Sequence, residues 1–133
     1  MSINLERNLD ISNLYQDILS VHPQTRCSSF INRNGRIVES KFRDDGNITG
    51  LSKQEMEMLY MQYKLQLSMN EEFNEKLGSL SYTLIRREFT VHFLFPFNGG
   101  VISLITTKIL TQNVVDKILE LIKRYEFSLK MIQ

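Results

Sequence analysis

The stretch Ser29–Ser40, SFINRNGRIVES, decides how this chain is read. Two runs of strand-forming residues flank Asn34-Gly35, the dipeptide of a tight hairpin. A type I′ turn needs positive φ at both central residues, which Asn tolerates and Gly adopts freely. The pattern predicts one strand from about Arg26 to Arg33 and a second from about Arg36 to Arg43.

Working outward, Leu14, Ile18 and Val21 recur at helical spacing with Ile11 one turn earlier. They predict a helix over residues 10–21, capped by Asp10 or Ser12 and ended by His22-Pro23. After the hairpin, Ser52 and Glu55 form an S-x-x-E capping box, with Leu51 and Met56 placed as a hydrophobic staple. Lys76 and Gly78 supply a cation and a left-handed cap at the far end. A helix over residues 53–77 follows, with Asn70–Glu72 as the point where it can break and recap.

That helix carries two apolar stripes. Met56, Leu59, Tyr60, Tyr63 and Leu67 form one, and Met58, Met61, Leu65 and Met69 form another on a different side. A helix lying on a sheet needs only one. Either neighbouring helices of the same chain or a second subunit must cover the other.

From Leu80 the period becomes two. Strands are predicted at about Ser81–Arg87, Thr90–Phe97 and Val101–Lys108, with Asn98-Gly99-Gly100 as the last turn. Val91, Phe93, Phe95 and Phe97 alternate onto one face, opposite His92, Leu94 and Pro96. The run VISLITTK is apolar on both faces, as a central strand is. A last helix, capped by Thr111 or Asn113, presents Val115, Ile118, Leu119, Ile122 and Tyr125 on one side. The order is α-β-β-α-β-β-β-α in one domain spanning residues 1–133. It predicts an α+β fold with two long helices against one face of a five-stranded antiparallel sheet and a third beside them.

Composition excludes more than it assigns. The chain has 133 residues, a net charge of +1 and 42% apolar residues, so it is neither disordered nor built for phosphate neutralisation. No nucleic-acid partner is expected. One cysteine excludes an internal disulfide framework, no apolar run approaches membrane-spanning length, and the opening MSINLERNLDISN does not have the pattern of a signal peptide. These features predict a cytoplasmic protein without membrane insertion. Asn47-Ile48-Thr49 matches a glycosylation tripeptide that has no meaning in that compartment.

The opening helix, SFINRNGRIVES, the long helix SKQEMEMLYMQYKLQL, and the ending from LSYTLIRREF to VVDKILELI together resemble the dynein light chain roadblock family. That family belongs to the profilin-like and longin-like fold group. The likeness covers about residues 10–126 and lies in element order and turn placement, not in a catalytic signature. It implies sheet order 2-1-5-4-3, with the doubly apolar fifth strand in the middle. It also implies dimerisation through the third strand and the long helix, carried here by Met58, Met61, Leu65, Met69, Tyr82, Leu84 and Arg86. The implied partners are a second copy or a paralogue, and a small GTPase or larger assembly as client. The long helix exceeds the usual roadblock length, and Pro96 suits a strand end better than an interior. These departures suggest a divergent microbial member, archaeal in source, rather than a motor subunit.

Catalytic and cofactor signatures are thin. The two histidines, His22 and His92, lack the spacing of a metal site, and Cys27 is expected to be separated from His92 by a strand. No glycine-rich phosphate loop exists. Catalytic, cofactor and metal residues are therefore expected to be none, and the expected function is a non-catalytic dimeric scaffold. The alternative is a sensor domain holding a small ligand between sheet and helices.

Overall fold

A computed structural model describes residues 11–43 and 49–132. The proposed cap Asp10, the opening stretch before it, and Asn47 and Ile48 of the glycosylation tripeptide lie outside the described residues. Helix α1 spans Ile11–Val21, followed by strands β1 (Thr25–Ile31) and β2 (Ile37–Phe42). Helices α2 (Lys53–Glu71) and α3 (Asn74–Leu77) come next. Strands β3 (Thr83–Arg86), β4 (Val91–Phe97) and β5 (Gly100–Thr106) lead into α4 (Gln112–Ile132). The strands form one antiparallel sheet in the order β2-β1-β5-β4-β3.

Every residue of the central strand β5 is buried, which its two-sided apolar sequence requires. The cover is arranged differently from the expectation. The two long helices do not share a face: α1 and α4 cover one side, and α2 is the one helix among the described residues that covers the other. Leu14, Ile18, Val115, Ile118 and Ile122 meet Phe93, Phe95, Ile102 and Leu104 on the first side. Met56, Tyr60, Tyr63 and Leu67 meet Cys27, Ile31, Leu94, Val101 and Ile105 on the second. Alternation along β4 told which residues share a face, but not that both faces were covered. Phe93 and Phe95 stack at 6.2 Å beneath Tyr82, and each buried ring contributes roughly 2–3 kcal/mol by leaving water.

The Asn34-Gly35 hairpin exists, but its turn is not type I′. Gly35 has φ +80°, while Asn34 is not among the positive-φ residues. Asn32 starts the turn: its carbonyl accepts from Gly35 N at 2.9 Å and its N–H donates to Arg36 O at 2.9 Å. Its side-chain Oδ1 also accepts from Asn34 N at 3.0 Å and Arg36 N at 3.1 Å. This side chain stabilises a three-residue loop, Arg33-Asn34-Gly35, so β1 stops at Ile31 instead of Arg33. The turn with positive φ at both central residues lies between β4 and β5, at Asn98 (49°) and Gly99 (79°). Gly100 then enters β5 against β1, where an added Cβ would lie 2.1 Å from the Ile31 carbonyl oxygen.

The capping box of α2 is present in both directions: Glu55 N donates to Ser52 Oγ at 3.1 Å and Ser52 N to Glu55 Oε1 at 3.0 Å. Leu51 and Met56 both pack into the core on that side, as a staple does. The predicted 53–77 helix breaks at Glu72 and Phe73. Asn70 Nδ2 donates to Gln66 O at 3.1 Å, and Asn74 Oδ1 accepts from Leu80 N at 3.1 Å. The Asn70 side chain thus competes with the helical ladder just before the break, and Asn74 ties the chain beyond α3 back to its start. At the other end of the fold Arg43 donates to the Leu19, His22 and Thr25 carbonyls, satisfying the C-terminus of α1 and tying it to the hairpin.

Gly100→Ala is expected to cost at least roughly 3 kcal/mol, since its Cβ meets fixed backbone. Gly50→Ala, with open space but φ +69°, is expected to cost only about 1–2 kcal/mol. Urea unfolding of the two variants checks the difference.

Candidate interaction surface

On α2 the stripe Met56, Tyr60, Tyr63 and Leu67 is buried against the sheet, with Leu59 half-buried beside it. At about 100° per residue, Met58, Leu65 and Met69 point almost directly away from that face, and Met61 lies to one side. They are 58%, 62%, 57% and 49% exposed respectively. No helix among the described residues shelters them. Met61 leans toward the hairpin, because a Cβ at Gly35 would lie 3.3 Å from its Cγ. Phe73 (58% exposed), within the break, and Leu77 (82%), in α3, follow at four-residue intervals in the sequence. The same spacing, readable in the sequence from Met69 onward, marks them as the two residues the sequence reading left out of the stripe.

The strand residues assigned to the same surface sit elsewhere. Tyr82 is half-buried, with its ring 6.2 Å from Phe93 and 5.8 Å from Phe95. Leu84 pairs with Phe93 and Arg86 with Val91, so all three side chains lie on the α1/α4 side of the sheet. The β3 residues facing the α2 side are Thr83 and Ile85. What links the two groups is the backbone edge of β3, the last strand in the order. The assigned residues therefore form a helix face and a strand edge, not one patch of side chains.

Between α2 and the sheet lies a polar layer that sequence reading did not anticipate. Ser29 Oγ and Ser40 Oγ are 2.8 Å apart, and Cys27 Sγ lies 3.6 Å from Ser29 Oγ. The buried Tyr60 hydroxyl lies within reach of the Ser103 and Ser29 hydroxyls, whereas the Tyr63 hydroxyl, Thr83 Oγ1 and His92 Nδ1 have no hydrogen-bond partner among the described residues. Burial pushes the Cys27 thiol and the Tyr60 phenol up, so both stay protonated. Burial, with Arg87 nearby, brings His92 down from 6.5 to about 4. Its ring lies 5.5 Å from Tyr63, edge to face. Strand β5 separates β1, which carries Cys27, from β4, which carries His92. His22 accepts the Gln24 N–H at 3.0 Å, a local turn contact. Among the described residues no group of three His, Cys, Asp or Glu converges on a point, and no helix is long and apolar enough to cross a membrane.

No protein-family model matches the sequence, and no curated protein matches it significantly. Solved structures do match. A Roadblock/LC7 domain from Streptomyces avermitilis shares 12% identity over 88% of this chain and 95% of its own, at TM-score 0.64. The gliding protein MglB from Thermus thermophilus shares 10% identity over 87% of each chain, at TM-score 0.62. A structure of MglB with a tetrameric arrangement shares 11% over 87% of each chain, also at 0.62. The chain therefore has the fold of Roadblock/LC7 domains, and at these identities the likeness is one of fold.

His92 gives the fold a pH dependence of known sign. Its folded value lies below its unfolded one, so between about pH 6.5 and pH 4 the unfolded chain binds a proton that the native one does not. Stability is therefore full above that window and falls as pH is lowered through it. Going from about pH 7.5 to about pH 5 should cost roughly 2 kcal/mol through this residue. Urea unfolding at fixed protein concentration measures the loss, and His92→Phe should reduce it.

Proposed function

We propose that this chain is a non-catalytic interaction module, acting as a dimer that scaffolds or regulates another protein. The observation that carries it is the outer face of α2, where four long apolar side chains are half-exposed or more. A contiguous apolar face on a helix that already buries its opposite side is the mark of an association site. Methionine and leucine suit a self-complementary contact, because flexible side chains adjust to each other. The occupant is a second copy of this chain or a paralogue. Its α2 packs on this α2 through that outer face, and the β3 edge, otherwise open to unwanted pairing, is a separate surface on which a further copy could pair.

The Roadblock/LC7 fold supports this reading, as does the tetrameric arrangement described for one MglB structure. The client is a small GTPase or a larger assembly, a role that rests on the roadblock likeness. Neither partner is expected to require a cofactor or a metal, and the proposed surface contains no residue set suited to covalent chemistry.

Light scattering tests the assembly. The parent should run as a dimer, and Met58→Glu with Leu65→Glu should weaken association by roughly a hundredfold or more while circular dichroism stays unchanged. Met61 is best left intact because it touches Gly35. A parent that is monomeric at high micromolar concentration overturns the proposal.

A further inference from the structure

A cleft of about 630 Å³ lies between the start of α2 and the β3–β4 turn. Leu51 and Leu59 line it from the α2 side, and Arg87, Glu88 and Phe89 from the turn; His92 also lines it. The dimer reading uses none of these residues. We propose that this cleft binds a small monocarboxylic acid with an apolar body, the carboxylate on Arg87 and the hydrocarbon between Leu51, Leu59 and Phe89.

Four observations point the same way. The volume falls within the roughly 300–1,000 Å³ range of small-molecule sites, and a few polar groups converge on apolar walls as such sites require. Phe89 is 83% exposed on a turn where nothing among the described residues covers its ring, and a ligand's apolar body would do so. The Arg87 guanidinium makes no side-chain hydrogen bond or ion pair among the described residues, so its planar donors are available to a carboxylate. His92 is 2% exposed, and its Nδ1 has no partner among the described residues. The charge balance selects the class. Among the described lining residues Arg87 is the one cation and Glu88 the one anion, so a carboxylate is held at Arg87 while a second negative charge would meet Glu88, which disfavours a dianion.

Phenylacetate is a suitable probe, with phenethylamine and inorganic phosphate as controls, titrated into the full chain and followed by histidine-ring NMR. Phenylacetate should saturate with a Kd on the order of 1 mM and shift the His92 ring resonances. Arg87→Gln, a change at an exposed turn residue, should weaken it about tenfold. Equal binding of phenethylamine, undiminished binding by Arg87→Gln, or no saturation by about 10 mM would each overturn the site. Binding that emerges only once Met58→Glu with Leu65→Glu has separated the copies would also overturn it, because the cleft would then belong to the contact between copies. A monomeric parent that binds phenylacetate would sink the dimer reading and leave this one standing.

Discussion

Burial of β5 on both faces is the constraint on which the rest of the molecule depends. A strand whose every residue leaves water must have neighbours on both edges and cover on both sides. Its neighbours are β1 and β4, and Gly100 lets β5 begin close against the Ile31 carbonyl. The covers are unequal. Two helices, α1 and α4, share one face, whereas among the described residues α2 has the other to itself. A lone helix over a five-stranded sheet cannot be flanked by others of its own layer, so its outer side meets solvent or another molecule. That side is apolar, and the proposed association follows from this.

The two faces also differ in chemistry. Beneath α1 and α4 the contacts are dominated by Phe93, Phe95 and Phe97, with the buried Ser28 hydroxyl among them. Between α2 and the sheet lie Tyr60, Tyr63, Thr83, Ser29, Ser103, Cys27 and His92, and the polar atoms of Tyr63, Thr83 and His92 find no partner among the described residues. Each such atom costs on the order of 1–3 kcal/mol relative to a satisfied one. A face that carries several of them is less well optimised for stability than its opposite. Such a face is where ligand, water or partner chemistry has the most to gain.

Much of the fold could be read directly. Ser52 and Glu55 announced the start of α2 because the capping box is a local device, complete within four residues. The phenylalanines of β4 and the largely apolar run of β5 placed those strands, and the two-sided character of β5 put it in the centre. The hairpin was found but its turn was misjudged: Asn34-Gly35 looked like a two-residue loop, yet the Asn32 side chain binds Asn34 N and Arg36 N and draws in a third residue. Asn98-Gly99 has the geometry that was expected of the earlier pair. A dipeptide does not settle a turn when a neighbouring side chain competes for the same backbone groups.

The candidate surface was legible in part. Periodicity separated the two stripes of α2, and the same rule applied further would have reached Phe73 and Leu77. It could not show that Tyr82, Leu84 and Arg86 face the opposite side of the sheet from the methionines, because alternation orders residues within a strand without saying which helix lies over which face. By itself the sequence determined the elements, their order and the apolar faces, since these follow from periodicity and capping within a few residues. Only the tertiary structure decided that α2 stands alone on its face, that a polar layer lies beneath it, and that His92 lines a cleft beside Arg87. Those facts depend on contacts between residues far apart in the chain, and no local pattern encodes them.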